Sequence, residues 1–142
     1  MKAQPIEFHY QVDKFHFVNR QHLKRFLAQL IKREGQTIEH INYIFCSDPY
    51  LLEINQQYLS HDTYTDIISF QLSLPGEPIL ADVYISIPRV KENAIRFETS
   101  FTSELHRVIF HGALHLCGYK DKKPGDTRLM RKMEDYYLDK YF

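Results

Sequence analysis

The chain has 142 residues, which is the size of one ordinary domain and too short for two independent hydrophobic cores. Hydrophobic residues make up 44% of the chain and charged residues 25%, which is typical of a folded globular protein and excludes a disordered one. Its 18 basic and 18 acidic side chains balance, so net charge gives no argument for nucleic-acid binding. We therefore expect one domain over residues 1–142.

The sequence shows no feature of export, of membrane insertion or of a disulfide framework. The N-terminal segment lacks a basic stretch followed by an apolar one, and no stretch approaches the roughly 18 apolar residues of a membrane span. Cys46 and Cys117 are the only cysteines and lie far apart, which argues against a thiolate metal site. We expect a cytoplasmic protein without a membrane partner.

The N-terminal part of the chain predicts two strands with a helix between them. Short patterns of β-branched and aromatic residues predict strands at Ile6–Tyr10 and Ile38–Cys46. Apolar residues at helical spacing predict a helix that Asn19 caps and Gly35 ends. This helix is expected to pack on the core.

The middle of the chain predicts a further helix and a hairpin. Asp48, which precedes a proline, predicts the N-cap of a helix that ends near Tyr58. Two apolar runs, residues 67–74 and 79–87, flank a Pro-Gly-Glu-Pro turn and can pair as antiparallel strands. The predicted strands are thus four in number.

The last part of the chain is predicted to be helical. One helix covers residues 88–97, a second runs from a Thr102 or Ser103 cap to Gly118, and a third begins near Asp126. Strands followed by helices predict an α+β fold, in which a small mixed sheet is packed with helices.

Two histidines near the end of the second of these helices indicate a metal site. His111 and His115 are four residues apart, so their rings project from one helix face toward one ion. Gly118 can take the left-handed conformation that ends the helix and turns the chain back, so that Asp121 supplies a third ligand. The pattern H-x-x-x-H-x-x-G-x-x-D has the metzincin spacing with Asp in place of the last His. Three ligands leave one position for water, as in catalytic zinc sites. The alternative is two ordinary helix histidines and a polar turn residue.

Gly112 lies directly after the first histidine, where zinc proteases carry their glutamate base. Its presence disfavours peptide hydrolysis. A glycine inside a helix costs about 0.5–1 kcal/mol relative to alanine, which indicates that something approaches the backbone there. Substrate and a packed sheet are the two alternatives.

The residues that carry this pattern resemble a known family. HGALHLCGYKD, from His111 to Asp121, resembles the H-G-x-L-H-L-x-G-Y-D-H signature of the YbeY endoribonucleases, which are bacterial rRNA maturation factors. Upstream, TDIISF (residues 65–70) and LADVYIS (residues 80–86) resemble the family's T-[DN]-V-L-S-F and L-G-D-I-x-I-S strands. The resemblance implies an α+β fold with a metal site at the C-terminal end of a helix. It also implies one zinc ion per chain and cleavage of single-stranded rRNA regions, in rRNA maturation and ribosome quality control on ribosomal particles.

Two positions depart from the family pattern. Asp121 replaces the third histidine, with Lys120 before it in place of an acidic residue, and zinc accepts carboxylate oxygen as well as imidazole nitrogen. Leu59 stands where the family has an arginine thought to serve substrate or transition-state charge. Four basic residues close to the site in sequence are candidates to replace it, although each also fits a solvated helix face. They are Lys123, Arg128, Arg131 and Lys132.

The acid and base of the reaction remain open at this stage. Asp62, His61, Asp66 and Glu104 are candidates by chemistry alone, and each also fits a surface, capping or structural role. RNA contact is predicted for a set of basic residues and for tyrosines on which bases stack. These residues are Lys120, Lys122, Lys123, Tyr64 and Tyr119.

Two other classes of function fit the same residues. The metal ligands also suit a metalloprotease-like enzyme or an amide hydrolase, against which Gly112 argues. Leu59 in place of the arginine leaves room for a non-catalytic, ribosome-associated module with a structural metal.

Overall fold

The computed structural model describes residues 5–12, 15, 17, 19–59 and 65–142, and of Leu59 the backbone alone. Strands and helices alternate in the first part of the chain and helices fill the last part. The elements are β1 (Ile6–Tyr10), α1 (Arg20–Arg33), β2 (Ile38–Cys46), α2 (Asp48–Leu59), β3 (Ile67–Gln71), β4 (Ile79–Ser86), α3 (Ile87–Arg96), α4 (Phe101–Leu116) and α5 (Pro124–Tyr141).

The four strands form one mixed sheet in the order β1-β2-β4-β3. β2 pairs in parallel with β1 on one side and with β4 on the other. β3 and β4 form an antiparallel hairpin. The predicted α+β fold with a small mixed sheet is therefore confirmed. No helix in the described ranges is long and apolar enough to cross a membrane.

The two faces of the sheet bury different helices. Alternate residues of β2 and β4 form the main core with α1, α4 and α5. They do so because every second side chain of a strand points to the same face of the sheet. α2 lies on the opposite face, where its Leu51 and Ile54 pack on Ile68 of β3. Helix α4 is thus held between the sheet and the other helices, and its C-terminal end reaches one edge of the core.

The start of α4 differs from the prediction. The predicted cap, Thr102 or Ser103, is wrong: Ser100 is the cap, and its hydroxyl accepts a hydrogen bond from the Ser103 amide at 3.0 Å. Three hydroxyl residues lie within four positions, and Ser100 is the one that combines extended backbone, φ −72° and ψ 154°, with an amide three residues ahead. Sequence alone does not show which of them has that conformation.

Asp48 is not the cap of α2. The Ser47 hydroxyl accepts from the Tyr50 amide at 3.3 Å, and the helix already includes Asp48. The Asp48 carboxylate instead accepts from Arg89 Nη2 at 2.7 Å and from the Ser86 hydroxyl at 3.0 Å. A partner from a distant element takes the side chain away from its own helix end, which a local pattern does not reveal.

Gly112 marks the closest approach of α4 to the sheet. A Cβ at this position would lie 2.9 Å from Ile67 Cδ1 and 3.2 Å from Val83 Cγ1, and the residue is buried. Of the two alternatives for this glycine, packing against the sheet is confirmed.

We therefore predict that Gly112→Val lowers the free energy of unfolding by about 1–3 kcal/mol, because the added atoms overpack the contact with β3 and β4. Urea unfolding of the metal-free protein, followed by circular dichroism, measures this. Gly125→Ala is the control, since a Cβ there would meet a single atom, Arg128 Nη2, at 3.9 Å. Equal unfolding midpoints for the parent and Gly112→Val would contradict close packing at this point.

Candidate metal and RNA site

The C-terminal end of α4 turns the chain back as predicted. Gly118 has φ +103°, and the Tyr119 amide donates to the Leu114 carbonyl at 3.1 Å, which closes the helix with a left-handed glycine. The chain then runs to α5, where the Thr127 hydroxyl donates to the Asp121 carbonyl at 2.8 Å. Asp121 is thereby brought back beside the last turns of α4.

The His111 ring joins two carboxylates. Its Nδ1 donates to Glu134 Oε2 at 2.8 Å, and its Nε2 lies 3.2 Å from Asp121 Oδ2. Burial lowers the pKa of His111, but the hydrogen bond to Glu134 and the negative charges of Glu134, Asp121 and Asp66 outweigh it, so the pKa is raised. The carboxylate at Nδ1 fixes the ring orientation and leaves Nε2 facing Asp121.

Two of the three predicted ligands have donor atoms as far apart as two ligands of one metal ion. Donor atoms about 2.0–2.1 Å from a tetrahedral ion lie about 3.3 Å apart, close to the 3.2 Å between His111 Nε2 and Asp121 Oδ2. His115 is exposed one turn further on and lines the same cavity. Across the described residues, no three His, Cys, Asp or Glu side chains converge as a complete metal-binding group. The donor chemistry of His111 and Asp121 fits a divalent ion, whereas the His115 side chain is not within a common ligand sphere with them.

The predicted ligands border a cavity of about 620 Å³ between β3, the end of α3, α4 and α5. Its lining combines histidines, carboxylates and basic residues with a single exposed phenylalanine. The lining residues are Asn55, Thr65, Asp66, Ile67, Ile68, Ser69, Phe97, Glu104, Arg107, Val108, His111, His115, Asp121, Lys122, Arg131 and Glu134.

Comparison with known proteins shows the family of this chain. The family model described as Endoribonuclease YbeY matches residues 7–142. This chain belongs to the YbeY endoribonuclease family. Proteins named Endoribonuclease YbeY from Flavobacterium psychrophilum and Cytophaga hutchinsonii are 52% and 44% identical to it, over 94% and 97% of the chain and 94% and 96% of their own lengths. A Thermotoga maritima protein with a known solution structure has a TM-score of 0.65 and 28% identity, over 96% of this chain and 88% of its own.

In this YbeY family member, two carboxyl groups that line the cavity have raised pKa values. Burial raises the pKa of Asp66, against the opposing positive charge of His111. Burial also raises the pKa of Glu104, and the nearby charge of Asp66 adds to it. Both were acid–base candidates from sequence, and both line the cavity. The other candidates, Asp62 and His61, lie outside the described residues.

The residues predicted to contact RNA occupy different places. Lys122 lines the cavity, whereas Lys123 is the residue before α5 and Tyr119 points to α1, so neither of these is among the lining residues. Tyr64 lies outside the described residues. Of the four basic residues considered in place of the family arginine, Arg131 lines the cavity.

Glu34, at the end of α1, holds the turn that follows α4. Its carboxylate accepts a hydrogen bond from the Tyr119 hydroxyl at 2.7 Å through one oxygen and a very short one from Tyr137 of α5 through the other. Burial and the bond to Glu34 raise the pKa of Tyr119 to about 12. Both phenols therefore remain donors at neutral pH, and they tie the ligand turn to α1 and α5.

Sequence reasoning missed Glu134 and Arg107. Arg107 Nη1 donates to Glu134 Oε1 at 2.9 Å, and its Nη2 donates to Asp135 Oδ1 at 2.6 Å. Each Glu134 oxygen thus accepts one charged or polar donor, although the residue is buried. A signal was present: Glu134 occupies a core position of α5, between Met130 and Tyr137 in the helical repeat. An acidic residue within an apolar stripe indicates a buried partner.

We predict that Tyr137→Phe lowers the free energy of unfolding by about 1.5–3 kcal/mol, because it removes a hydrogen bond to a charged group. Chemical denaturation in the presence of a chelator measures the change. The neighbouring Tyr136→Phe should have an effect within about 0.5 kcal/mol, since Tyr136 is 42% exposed and its hydroxyl is 3.4 Å from Arg33 Nη1. If the two variants unfold alike, Glu34 does not hold α5 in the way described.

Proposed function

We propose that the protein is a metal-dependent endoribonuclease that cuts single-stranded RNA and acts in rRNA maturation on ribosomal particles. The observation that carries the proposal is the His111 ring held between Glu134 and Asp121 at the wall of a cavity with basic residues. The relatives named Endoribonuclease YbeY support the class of substrate. Zinc suits two imidazoles and one carboxylate with a position left open.

We propose separate roles for the side chains of this site: metal binding, orientation of a ligand and contact with phosphate. We propose His111, His115 and Asp121 as the protein ligands of zinc, with Glu134 fixing the His111 ring. When bound, zinc lowers the pKa of water and stabilises charge on a phosphoryl oxygen. Lys122 and Arg131, both exposed at the cavity, are placed to contact phosphate, as Lys and Arg commonly do.

Proton transfer falls to the two carboxyl groups of the cavity whose pKa is raised by desolvation. A carboxyl whose pKa is raised holds its proton closer to neutral pH, which suits a general acid that protonates a leaving oxygen. Glu104 and Asp66 both have this property. We assign the general-acid role to Glu104, because the Asp66 carboxylate accepts a hydrogen bond from Asn93 Nδ2 at 3.4 Å, which favours its charged form.

The metal ligands give the first test of this function. We expect His115→Ala to lower the affinity for zinc by more than about 100-fold, because even outer partners of ligands contribute about 10–100-fold. Asp121→Ala should also weaken binding. Competition with a chelator measures the affinity. His22→Ala is the control, since His22 stacks on Tyr141 away from the cavity.

The same proteins are then assayed on a single-stranded RNA, its duplex and casein. Cleavage of the single strand alone, lost in His115→Ala and kept in His22→Ala, supports the proposal. Cleavage of casein would indicate a protease. A parent protein that unfolds when the metal is removed and cuts no RNA would indicate a structural metal.

Glu104→Gln gives a test with opposite signs for stability and activity. Because the folded state raises the Glu104 pKa, the stability associated with its proton is present below about pH 4.3 and is lost as pH rises through the folded value. The neutral amide avoids this loss, so at pH 7 Glu104→Gln should unfold at a higher urea concentration than the parent. At pH 4 the two proteins should unfold at the same urea concentration. RNA cleavage should fall by about 10²–10⁴-fold.

Urea titrations at both pH values and single-turnover cleavage measure the two effects. Glu39→Gln, at an exposed position of β2, is the control. A Glu104→Gln variant that cleaves RNA at the parent rate would exclude Glu104 as the acid.

A further inference from the structure

Phe97 is an exposed aromatic residue at the wall of the metal and RNA cavity. It follows the last turn of α3, its side chain is 56% exposed, and it lines the same cavity as His111 and His115. Among the lining residues in the described part of the chain it is the single phenylalanine or tyrosine. Single exposed hydrophobic side chains are common on protein surfaces, and what distinguishes this one is its place in the wall of the cavity, where a bound ligand can reach its ring.

The backbone after Phe97 is held in a left-handed conformation. Glu98 has φ +54°, the one positive φ of a non-glycine residue that the described residues show. This conformation ends α3, since the Thr99 amide donates to the Ala94 carbonyl at 2.9 Å. A left-handed residue is a common end of a helix, and here its hydrogen bonds set the direction of the chain after α3. The turn fixes the residue before it at the edge of the cavity.

The surroundings of Phe97 suit one nucleotide. Lys122 and Arg131 line the same cavity and carry the charge that phosphates need. The Arg96 guanidinium lies 5.9 Å from the Phe97 ring centroid, which adds a further cation beside the aromatic face. Phe97 itself carries no charge and offers phosphate no hydrogen-bond donor. An uncharged planar base is the part of RNA that fits the ring.

We propose that Phe97 is a stacking platform for a nucleobase of the single-stranded substrate, next to the phosphodiester that is cut. The inference rests on the proposed function and names how the same site holds its substrate. Stacking requires an unpaired base, so this platform also selects single-stranded over duplex RNA. A base–aromatic contact usually contributes about 1–3 kcal/mol, so loss of the Phe97 ring should weaken RNA binding about 5- to 150-fold.

The chain contains no tryptophan, which gives the proposal a direct readout. Phe97→Trp keeps a stacking face and introduces a single tryptophan, whose fluorescence can be excited separately from that of the tyrosines. Ile95→Trp is the matched control, because Ile95 lies two residues earlier on α3, is 80% exposed and does not line the cavity. Each variant is titrated with an unstructured RNA of about ten nucleotides, and with the same RNA lacking its bases, in the metal-free state and with zinc.

We expect RNA to quench Phe97→Trp strongly and Ile95→Trp weakly, and the base-free strand to quench neither. In cleavage assays Phe97→Ala should raise KM about 5- to 150-fold with little change in kcat, and Phe97→Trp should restore the parent KM. Equal quenching at both positions, or an unchanged KM in Phe97→Ala, would contradict the stacking platform. If the parent still cleaves RNA in that case, the proposed nuclease function stands without it. A parent that cuts no RNA overturns the proposed function, and the quenching still decides whether Phe97 binds a base.

Discussion

The close contact between α4 and the sheet is the constraint on which the rest of the structure depends. Gly112 lets the helix approach Ile67 and Val83, and the buried Tyr43 hydroxyl of β2 donates to the Ile109 carbonyl of α4 at 3.0 Å. Successive side chains on a helix point about 100° apart, so burying Gly112 against the sheet turns His111 toward the cavity. The depth and the rotation of α4 are thus set by packing, and the ligand direction follows from them.

A buried carboxylate links this packing to the chemistry of the site. A buried charge is costly unless it is paired, and Glu134 is paired on both oxygens, with Arg107 and His111 of α4. The same side chain therefore joins α5 to α4 and orients the His111 ring. Helix packing and ligand orientation depend on one residue, so a change that separates the two helices also disturbs the site.

The turn that carries Asp121 is hydrogen-bonded to two other elements. Gly118 gives it its direction, Tyr119 ties it to Glu34 of α1, and Thr127 ties it to the start of α5. A carboxylate in place of the family's third histidine keeps an oxygen donor at this position, and that oxygen contacts His111 Nε2 at 3.2 Å.

The sequence by itself determined the strands and helices of this family member, the left-handed end of α4 and the return of Asp121 to the side of His111. These depend on local spacing: period two in strands, period 3.6 in helices, and a glycine where φ is positive. The tertiary structure alone decided that Ser100 caps α4, that Asp48 pairs with Arg89, that Glu134 orients His111 and that Phe97 lines the cavity. Each of these depends on partners from distant elements or on a particular backbone conformation, and neither is encoded in the spacing of neighbouring residues.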